Sequence, residues 1–382
     1  MIWFDNAATS FPKPPEVAER VAGCLTRCGG NAGRGAYRSA MAAAEAVYDC
    51  RAAVADFFGA ASPLRVVFTA GATAALNLAI KGSVRKGDHV LISDLEHNAV
   101  FRPVYALARS GAITYDVFPT YAADRAATAA RVLRGIEERI RPNTRLLVCT
   151  HASNICSAVL PAREIGMLCR RHRIRFILDA AQSAGHLEVN VGRFHADAVC
   201  VPAHKGLLGP QGAGMMILGD KTEMNTVIEG GSGVRSLDPE MPPDPPERYE
   251  AGTLPLPAIV GLREGLRAVE AVGIDTIRAH EKALFRRLRE RLGELSGVQM
   301  SAPHAEGSVL LFHADGIPSE RLAAELDERG FCVRAGFHCA AMAHKTLGTP
   351  ESGAVRVSFG WKNTEEETDL LANAVGEIVS AR

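Results

Sequence analysis

Apolar positions along the chain fall into short runs separated by longer amphipathic stretches. From Arg38 to Phe58, "RSAMAAAEAVYDCRAAVADFF" is rich in strong helix formers and predicts one long helix. Beyond it the pattern alternates. The β-rich run "RVVFT" precedes the helical "AALNLAIKGS", "HVLIS" precedes "NAVFRPVYALARS", and "RLLVCTH" precedes "AREIGMLCRRH". "RFILDA", "AVCVPA" and "GMMIL" follow. Short apolar strands alternating with helices of about ten to fifteen residues predict βαβ units, hence an α/β fold with a mainly parallel sheet and helices on both faces.

The alternation ends near Leu218. "GGSGVRSLDPEMPPDPPERYEAGT" is rich in Gly and Pro and has no periodicity, and a long loop inside a compact protein is usually functional. A long amphipathic helix is expected from about Leu256 to Leu295, with breaks at Gly261 and Gly273. From about Val298 the chain reads as a small α+β domain with strands "SVLLFHA" and "AVRVSFG". The expected division is an N-terminal segment over 1–15 that packs with the small domain, a large domain over 16–255, and the long helix with the small domain over 256–382.

Composition narrows the classes. A chain of 382 residues suits two domains, and 47% hydrophobic with 23% charged residues is ordinary for a globular protein. Lys+Arg and Asp+Glu are both 43, so no charge excess points to a nucleic-acid backbone. The opening "MIWFDNAATSFPKPPEV" does not read as a signal peptide, and no apolar run is long enough to span a bilayer. Nine cysteines without CxxC spacing read as reduced thiols in a cytoplasm. Cys24 and Cys28, four apart on an expected helix, read as packing, and no metal site is expected.

In parallel sheets ligands gather beyond the carboxyl ends of the strands. That rule points to Gly71, His97, Asn154, Asp179 and the pair His204 and Lys205. Asp179 ends an apolar strand, where a carboxylate is costly unless paired; alone it is equally a helix cap or a loop acid. Lys205 follows another apolar strand in a chain poor in lysine, and alone it is equally a surface lysine. Together they suggest pyridoxal phosphate, which needs a lysine for its aldehyde and an acid facing its ring nitrogen. A phosphate would sit at "FTAGATAALNLA", where Gly71 leads into a helix starting near Ala72 and Thr73 adds a hydroxyl. Such turns are common and gain weight only from Lys205 and Asp179. His97 alone reads as packing or capping, and beside a cofactor as a ring stacked on it. The Asn154 amide suits a cofactor oxygen or a substrate carboxylate. Arg356 is either an outward, solvated residue or a bidentate carboxylate clamp. In "RAGFHCAAMAHK", Cys339 is either a core filler or a nucleophile whose thiolate His338 helps to form.

The motifs "FDNAATSFPKP", "GGNAGRG", "EHN", "HASN", "DAAQSAGH", "AHKGLLGPQG", "YEAGT", "RAGFHCA" and "VRVSFGWKNTEEE" occur in the order and spacing of a known family. Over nearly its whole length the chain resembles the cysteine desulfurase and selenocysteine lyase branch of the class V aminotransferase-like, fold type I pyridoxal phosphate enzymes. "RAGFHCA" is similar to the Suf-type group, and "HKGLLGPQG" to a bacterial desulfurase-like subfamily. The resemblance implies a large domain with a mainly parallel seven-stranded sheet and a small α+β C-terminal domain. It implies that Lys205 bonds the cofactor and moves the Cα proton, Asp179 pairs with the ring nitrogen, Gln182 meets the ring hydroxyl and His97 stacks. Gly71, Ala72, Thr73 and His204 would hold the phosphate, with Thr253 arriving from the other subunit of a homodimer. Asn154 and Arg356 would hold the substrate carboxylate, and Cys339 would take the sulfur. The implied reaction turns L-cysteine into L-alanine and leaves a persulfide on Cys339 for an acceptor protein. Alternatives are a lyase acting on L-selenocysteine, a class V aminotransferase, or a non-catalytic sulfur-transfer scaffold. The chain departs from the pattern at Pro202, where Ser is usual, at Ala72 for Thr, at Phe337 for His or Gln, and at "LPLP" after "EAGT".

Overall fold

Runs of Val, Ile, Leu and Phe decide this architecture, and the computed structural model describes it for residues 1–33, 35–120, 128–302, 304–349 and 351–381. Arg34 of "GGNAGRG" lies outside the described residues. The chain opens with β1 (Ile2–Trp3), α1 (Pro15–Arg27) and α2 (Arg38–Phe58), the last ending on Gly59 in the left-handed region. Then come β2 (Val66–Thr69), α3 (Ala72–Ser83), β3 (His89–Ser93), α4 (Asn98–Arg109), β4 (Thr114–Phe118), α5 (Ala129–Glu137), β5 (Thr144–Thr150), α6 (Ala162–His172), β6 (Arg175–Asp179), β7 (Ala198–Pro202) and β8 (Gly214–Leu218).

These strands form one seven-stranded sheet in the order β2-β8-β7-β6-β5-β3-β4. The pairings from β7 across to β4 are parallel, whereas β8 runs antiparallel to both β7 and β2. Period-two alternation sorts the strand residues between two apolar layers. Leu91, Leu147, Phe176 and Val199 pack with α2, α6 and α7 (Leu256–Val272) on one face. Val90, Ile92, Val148 and Ile177 pack with α3 and α4 on the other. The sequence reading missed β4 and α5. β4 is an edge strand that begins Thr-Tyr-Asp and buries only Phe118 fully, so it lacks an apolar run.

The remainder is α8 (Ile274–Gly293), β9 (Val298–Met300), β10 (Val309–Ala314), α9 (Ser319–Glu328), β11 (Phe331–Cys332), β12 (Arg334–Gly336), α10 (Ala341–Thr346), β13 (Ala354–Ser358) and α11 (Glu365–Ser380). β12, β13, β10 and β9 make an antiparallel sheet, and β1 pairs with β11. The expected break at Gly261 is absent: the helix stops only at Gly273, with φ 86°. A Cβ at position 261 would come within 2.7 Å of the Val21 side chain, so this glycine serves close packing of α7 on α1. The N-terminal segment touches more than the small sheet. Residue 5 bridges to Ser358, but Thr9 and Ser10 bond the His204 carbonyl beyond β7. Among the described residues no helix is long and apolar enough to cross a membrane.

Candidate active site

A cavity of about 530 Å³ opens beyond the carboxyl ends of β2, β3, β5, β6 and β7. Gly71, His97, Asn154, Asp179, His204 and Lys205 all line it, as do Ala72, Thr73, Gln182 and Pro202. Asp179 ends β6 and is buried; its Oδ1 accepts a hydrogen bond from the Ala181 N–H at 2.9 Å. Burial pushes its pKa up, and the Ala181 N–H and Lys205 pull against that rise. Lys205 lies deep in the protein, half-exposed only because the cavity reaches it. Burial lowers its pKa to about 8, with Asp179 opposing. A low-dielectric wall thus holds an amine and a carboxyl whose ionised forms support each other.

Another wall of the cavity is the turn from β2 into α3. Gly71, extended at φ 156°, turns β2 into α3, and the first N–H groups of that helix have no intrahelical acceptor. The turn lies so close to β8 that a Cβ at Gly214 would be 2.5 Å from the Gly71 Cα. The His204 ring is neutral, burial and the nearby Lys205 bringing its pKa to about 4, and its buried Nδ1 has no partner among the described residues. The His204 carbonyl is gripped by Lys13 Nζ at 2.7 Å, which fixes the turn carrying Lys205 from below.

His97 caps α4: its Nδ1 accepts from the Ala99 N–H at 3.0 Å, which leaves the ring proton on Nε2. Burial, then Lys205, brings its pKa to about 4, so the ring is uncharged. Gln182 donates Nε2 to the Ala7 carbonyl at 2.9 Å, an anchoring contact the sequence did not announce. Thr253 is exposed and outside the cavity lining, so it does not reach this chain's cavity.

Cys339 lies on a loop fastened to the cavity rim. The Asn154 amide donates to the His338 carbonyl at 3.0 Å, and the Asn98 N–H to the Cys339 carbonyl at 2.8 Å. His338 and Cys339 both adopt left-handed backbone, at φ 51° and 56°, and the thiol is exposed. The core-filler reading therefore fails. So does the expectation that His338 assists the thiol. Burial, reinforced by Arg356, takes its pKa to about 3, and both ring nitrogens are engaged elsewhere.

The protons on these rings can be assigned. A carbonyl only accepts, so His338 Nε2 donates to the Arg334 carbonyl at 3.0 Å. His338 Nδ1 must then accept, at 3.0 Å, from Nε2 of buried His344. His344 Nδ1 in turn accepts from the Thr349 hydroxyl at 2.8 Å. One directed chain, Thr349 to His344 to His338 to Arg334, sets the turn that presents the thiol. The cation beside the thiol is Arg334, with Nη2 3.8 Å from Sγ. Phe337, 46% exposed, sets its ring edge-on to His344.

Arg356 is 1% exposed, which removes the solvated alternative. Nη1 donates to the Asn154 carbonyl at 3.1 Å and Nη2 to Asp5 at 2.5 Å, while Nε has no partner among the described residues. The sequence reading singled out neither Asp5, Lys13, Arg334 nor His344. Arg334 and His344 were visible in "RAGFHCAAMAHK", but only the fold shows which way they turn. Glu96, beside His97, was also missed. It is fully buried, accepts from the Ser93 hydroxyl and from the Thr150 N–H at 2.9 Å, and burial raises its pKa to about 8. It therefore joins the ends of β3 and β5 as a neutral acid.

The chain is similar to known proteins over nearly its whole length. The family model for class-V aminotransferases matches residues 2–371. A probable cysteine desulfurase of Mycolicibacterium paratuberculosis is 33% identical over 99% of the chain, which spans only 55% of that relative's length. One of Methanothermobacter thermautotrophicus is 32% identical over 98% of the chain and 94% of the relative. The solved cysteine desulfurase of Thermococcus onnurineus NA1, in its apo form, superposes with a TM-score of 0.91 at 30% identity, covering 100% of this chain and 95% of that one.

Proposed function

Because this chain belongs to the class-V aminotransferase family, we propose that it is a pyridoxal phosphate-dependent cysteine desulfurase. One observation carries the reading: Lys205 and Asp179 face a single cavity to whose rim the Cys339 loop is bonded. The residues fit the cofactor. The unpaired N–H groups of α3 and the orphan His204 Nδ1 suit a phosphate, Lys205 an aldehyde, and Asp179 a protonated ring nitrogen. Bound there, the cofactor supplies an electrophilic carbon for an amino group and a ring that accepts electrons released at Cα.

The chain's own groups do the rest. Lys205 Nζ, brought to about 8 by burial, takes and returns the proton at the substrate Cα. Asp179 holds the ring-nitrogen proton in place, and neutral His97 offers a flat face without a competing charge. Arg356 meets the substrate carboxylate through its Nε, with Asp5 and the Asn154 carbonyl holding the guanidinium still. Cys339 Sγ attacks the substrate sulfur. One sulfur–sulfur bond forms and one carbon–sulfur bond breaks, so cysteine leaves as alanine and the thiol becomes a persulfide with no external oxidant. The exposed thiol then hands its sulfur to an acceptor protein. Thr253, exposed here, would complete the phosphate cradle of a second copy in a homodimer.

Mass spectrometry of the holoenzyme after incubation with L-cysteine tests the reading. One added sulfur atom on the Cys339 peptide, equimolar alanine, and loss of both in Cys339→Ser with cofactor absorbance intact are the expected results. Undiminished alanine formation by that variant would overturn the nucleophile. Turnover of selenocysteine but not cysteine would move the enzyme to the lyase class.

A further inference from the structure

At the amino ends of the same parallel strands lies a second cavity, of about 480 Å³. β3, β5 and β6 start beside it and finish at the cavity of Lys205. Five arginines line it: Arg85, Arg145, Arg173, Arg175 and Arg248. Among the described residues the only carboxylates there are Asp88 and Glu223, and Asp88 Oδ2 already accepts the Arg85 backbone N–H at 2.7 Å. None of the five guanidiniums is ion-paired among the described residues. The chain as a whole carries no formal net charge, so this gathering of cations is local.

Three of the five are steadied by carbonyls on one edge. Arg145 Nη1 donates to the Pro142 and Thr144 carbonyls at 3.0 Å, Arg248 Nε to Met224 at 3.3 Å, and Arg175 Nη1 to Ser83 at 3.5 Å. Their remaining N–H groups have no protein acceptor among the described residues. Arg173 is held at the end of α6 in left-handed backbone, φ 56° and ψ 36°, a position glycine fills at less cost. An arginine there presents its charge from a fixed turn.

We propose that this groove binds a small anion carrying two or more phosphoryl groups. Planar guanidiniums match phosphate oxygens in paired contacts, several such contacts need several phosphates, and the volume is that of a small-molecule site. The proposal is independent of the reading of Lys205 and Cys339.

The test is isothermal titration of the cofactor-loaded protein with inorganic tripolyphosphate and, separately, with ATP, at near-physiological salt. Saturable one-to-one binding is expected, with cofactor absorbance unchanged. The stronger of the two probes distinguishes a bare polyphosphate from a nucleotide. Arg145→Gln and Arg175→Gln should each weaken binding about tenfold, the loss of one charge-assisted contact. Arg173→Gly keeps the turn and the melting temperature and should weaken binding to a similar degree, so a folding defect cannot imitate the result. No heat beyond that of sulfate at matched ionic strength, or unchanged affinity in all three variants, would overturn the site. So would release of cofactor on titration, which would locate the anion in the α3 cradle instead.

Discussion

His344→Ala cuts the hydrogen-bond chain that shapes the nucleophile loop. His338 Nδ1 loses its donor at 3.0 Å inside a residue only 3% exposed. A buried acceptor left unsatisfied costs about 1–3 kcal/mol. The turn it supports is expensive to hold, because left-handed backbone costs roughly 1–2 kcal/mol for each of His338 and Cys339. Taking about 2 kcal/mol of support from such a turn reduces the fraction presenting the thiol roughly thirtyfold, at about 1.4 kcal/mol per decade. Rapid-quench measurement of persulfide on Cys339 should slow by that order. Exchange of the Cα hydrogen of L-alanine in heavy water uses Lys205 and the cofactor but not the thiol, and should hardly change. His344→Gln, which returns a side-chain N–H at similar reach, should recover most of the loss. Equal loss in both assays would mean that the cofactor site had collapsed. A lower melting temperature with normal persulfide formation would make the chain merely structural; either result refutes the reasoning.

Arg334→Gln removes the cation 3.8 Å from Sγ and should slow alkylation of Cys339 by iodoacetamide at neutral pH about fivefold, the worth of such a pair in water; an unchanged rate would show that the contact is idle. Arg356→Lys loses the planar fork held by Asp5 and the Asn154 carbonyl, so KM for cysteine should rise roughly tenfold with a smaller change in kcat. A fall in kcat alone would remove Arg356 from carboxylate binding. Glu281→Gln probes the pair that His186 Nδ1 makes with Glu281 at 2.8 Å. Burial disfavours a charged His186, but Glu281 outweighs it and raises the pKa above 6.5. A histidine raised on folding adds stability that is full below its unfolded value and fades as pH climbs through the folded one. The variant should therefore melt lower than the wild type by the widest margin near pH ~6, with the gap closing toward alkaline pH; a constant gap would show that no proton is involved.

The strand ends were legible because a parallel sheet converts local pattern into shared position. Once "RFILDA" and "AVCVPA" are read as strands of one parallel sheet, the residues after them fall at the same end; β6 and β7 do pair, with Asp179 opposite Cys200, and Asp179 and Lys205 line one cavity. The turn from β2 through Gly71 into α3 was legible for the same reason. The strands β11 and β12 were not, since they are too short to carry a period and take their form from β1 and β13, their partners in two separate sheets. Gly261 misled because a helical glycine that serves packing reads like one that serves a break. His338 misled because adjacency to Cys339 in sequence says nothing about direction. Two consecutive left-handed residues turn its ring away from the thiol and toward His344.

The same geometry selects one sulfur among nine. Burial raises the thiol pKa of Cys50 to about 12 and lifts those of Cys149, Cys156, Cys169 and Cys200 above the ordinary value, so none of them offers a thiolate at neutral pH. Cys24 shares its environment with Cys28, and Cys332 is half-buried with its thiol also raised. The exposed thiols are Cys28 and Cys339. Cys28 follows α1 with no guanidinium beside its sulfur among the described residues, whereas Cys339 has Arg334 beside it and a backbone tied to α4, to the end of β5 and, through His338, to β12. On the proposed function, an acceptor protein needs an exposed sulfur, and attack on a substrate held by Arg356 needs an immobile one. Locking the backbone while leaving the side chain in solvent meets both demands. Cys28 is thus the internal control: it should alkylate readily, yet gain no sulfur from cysteine.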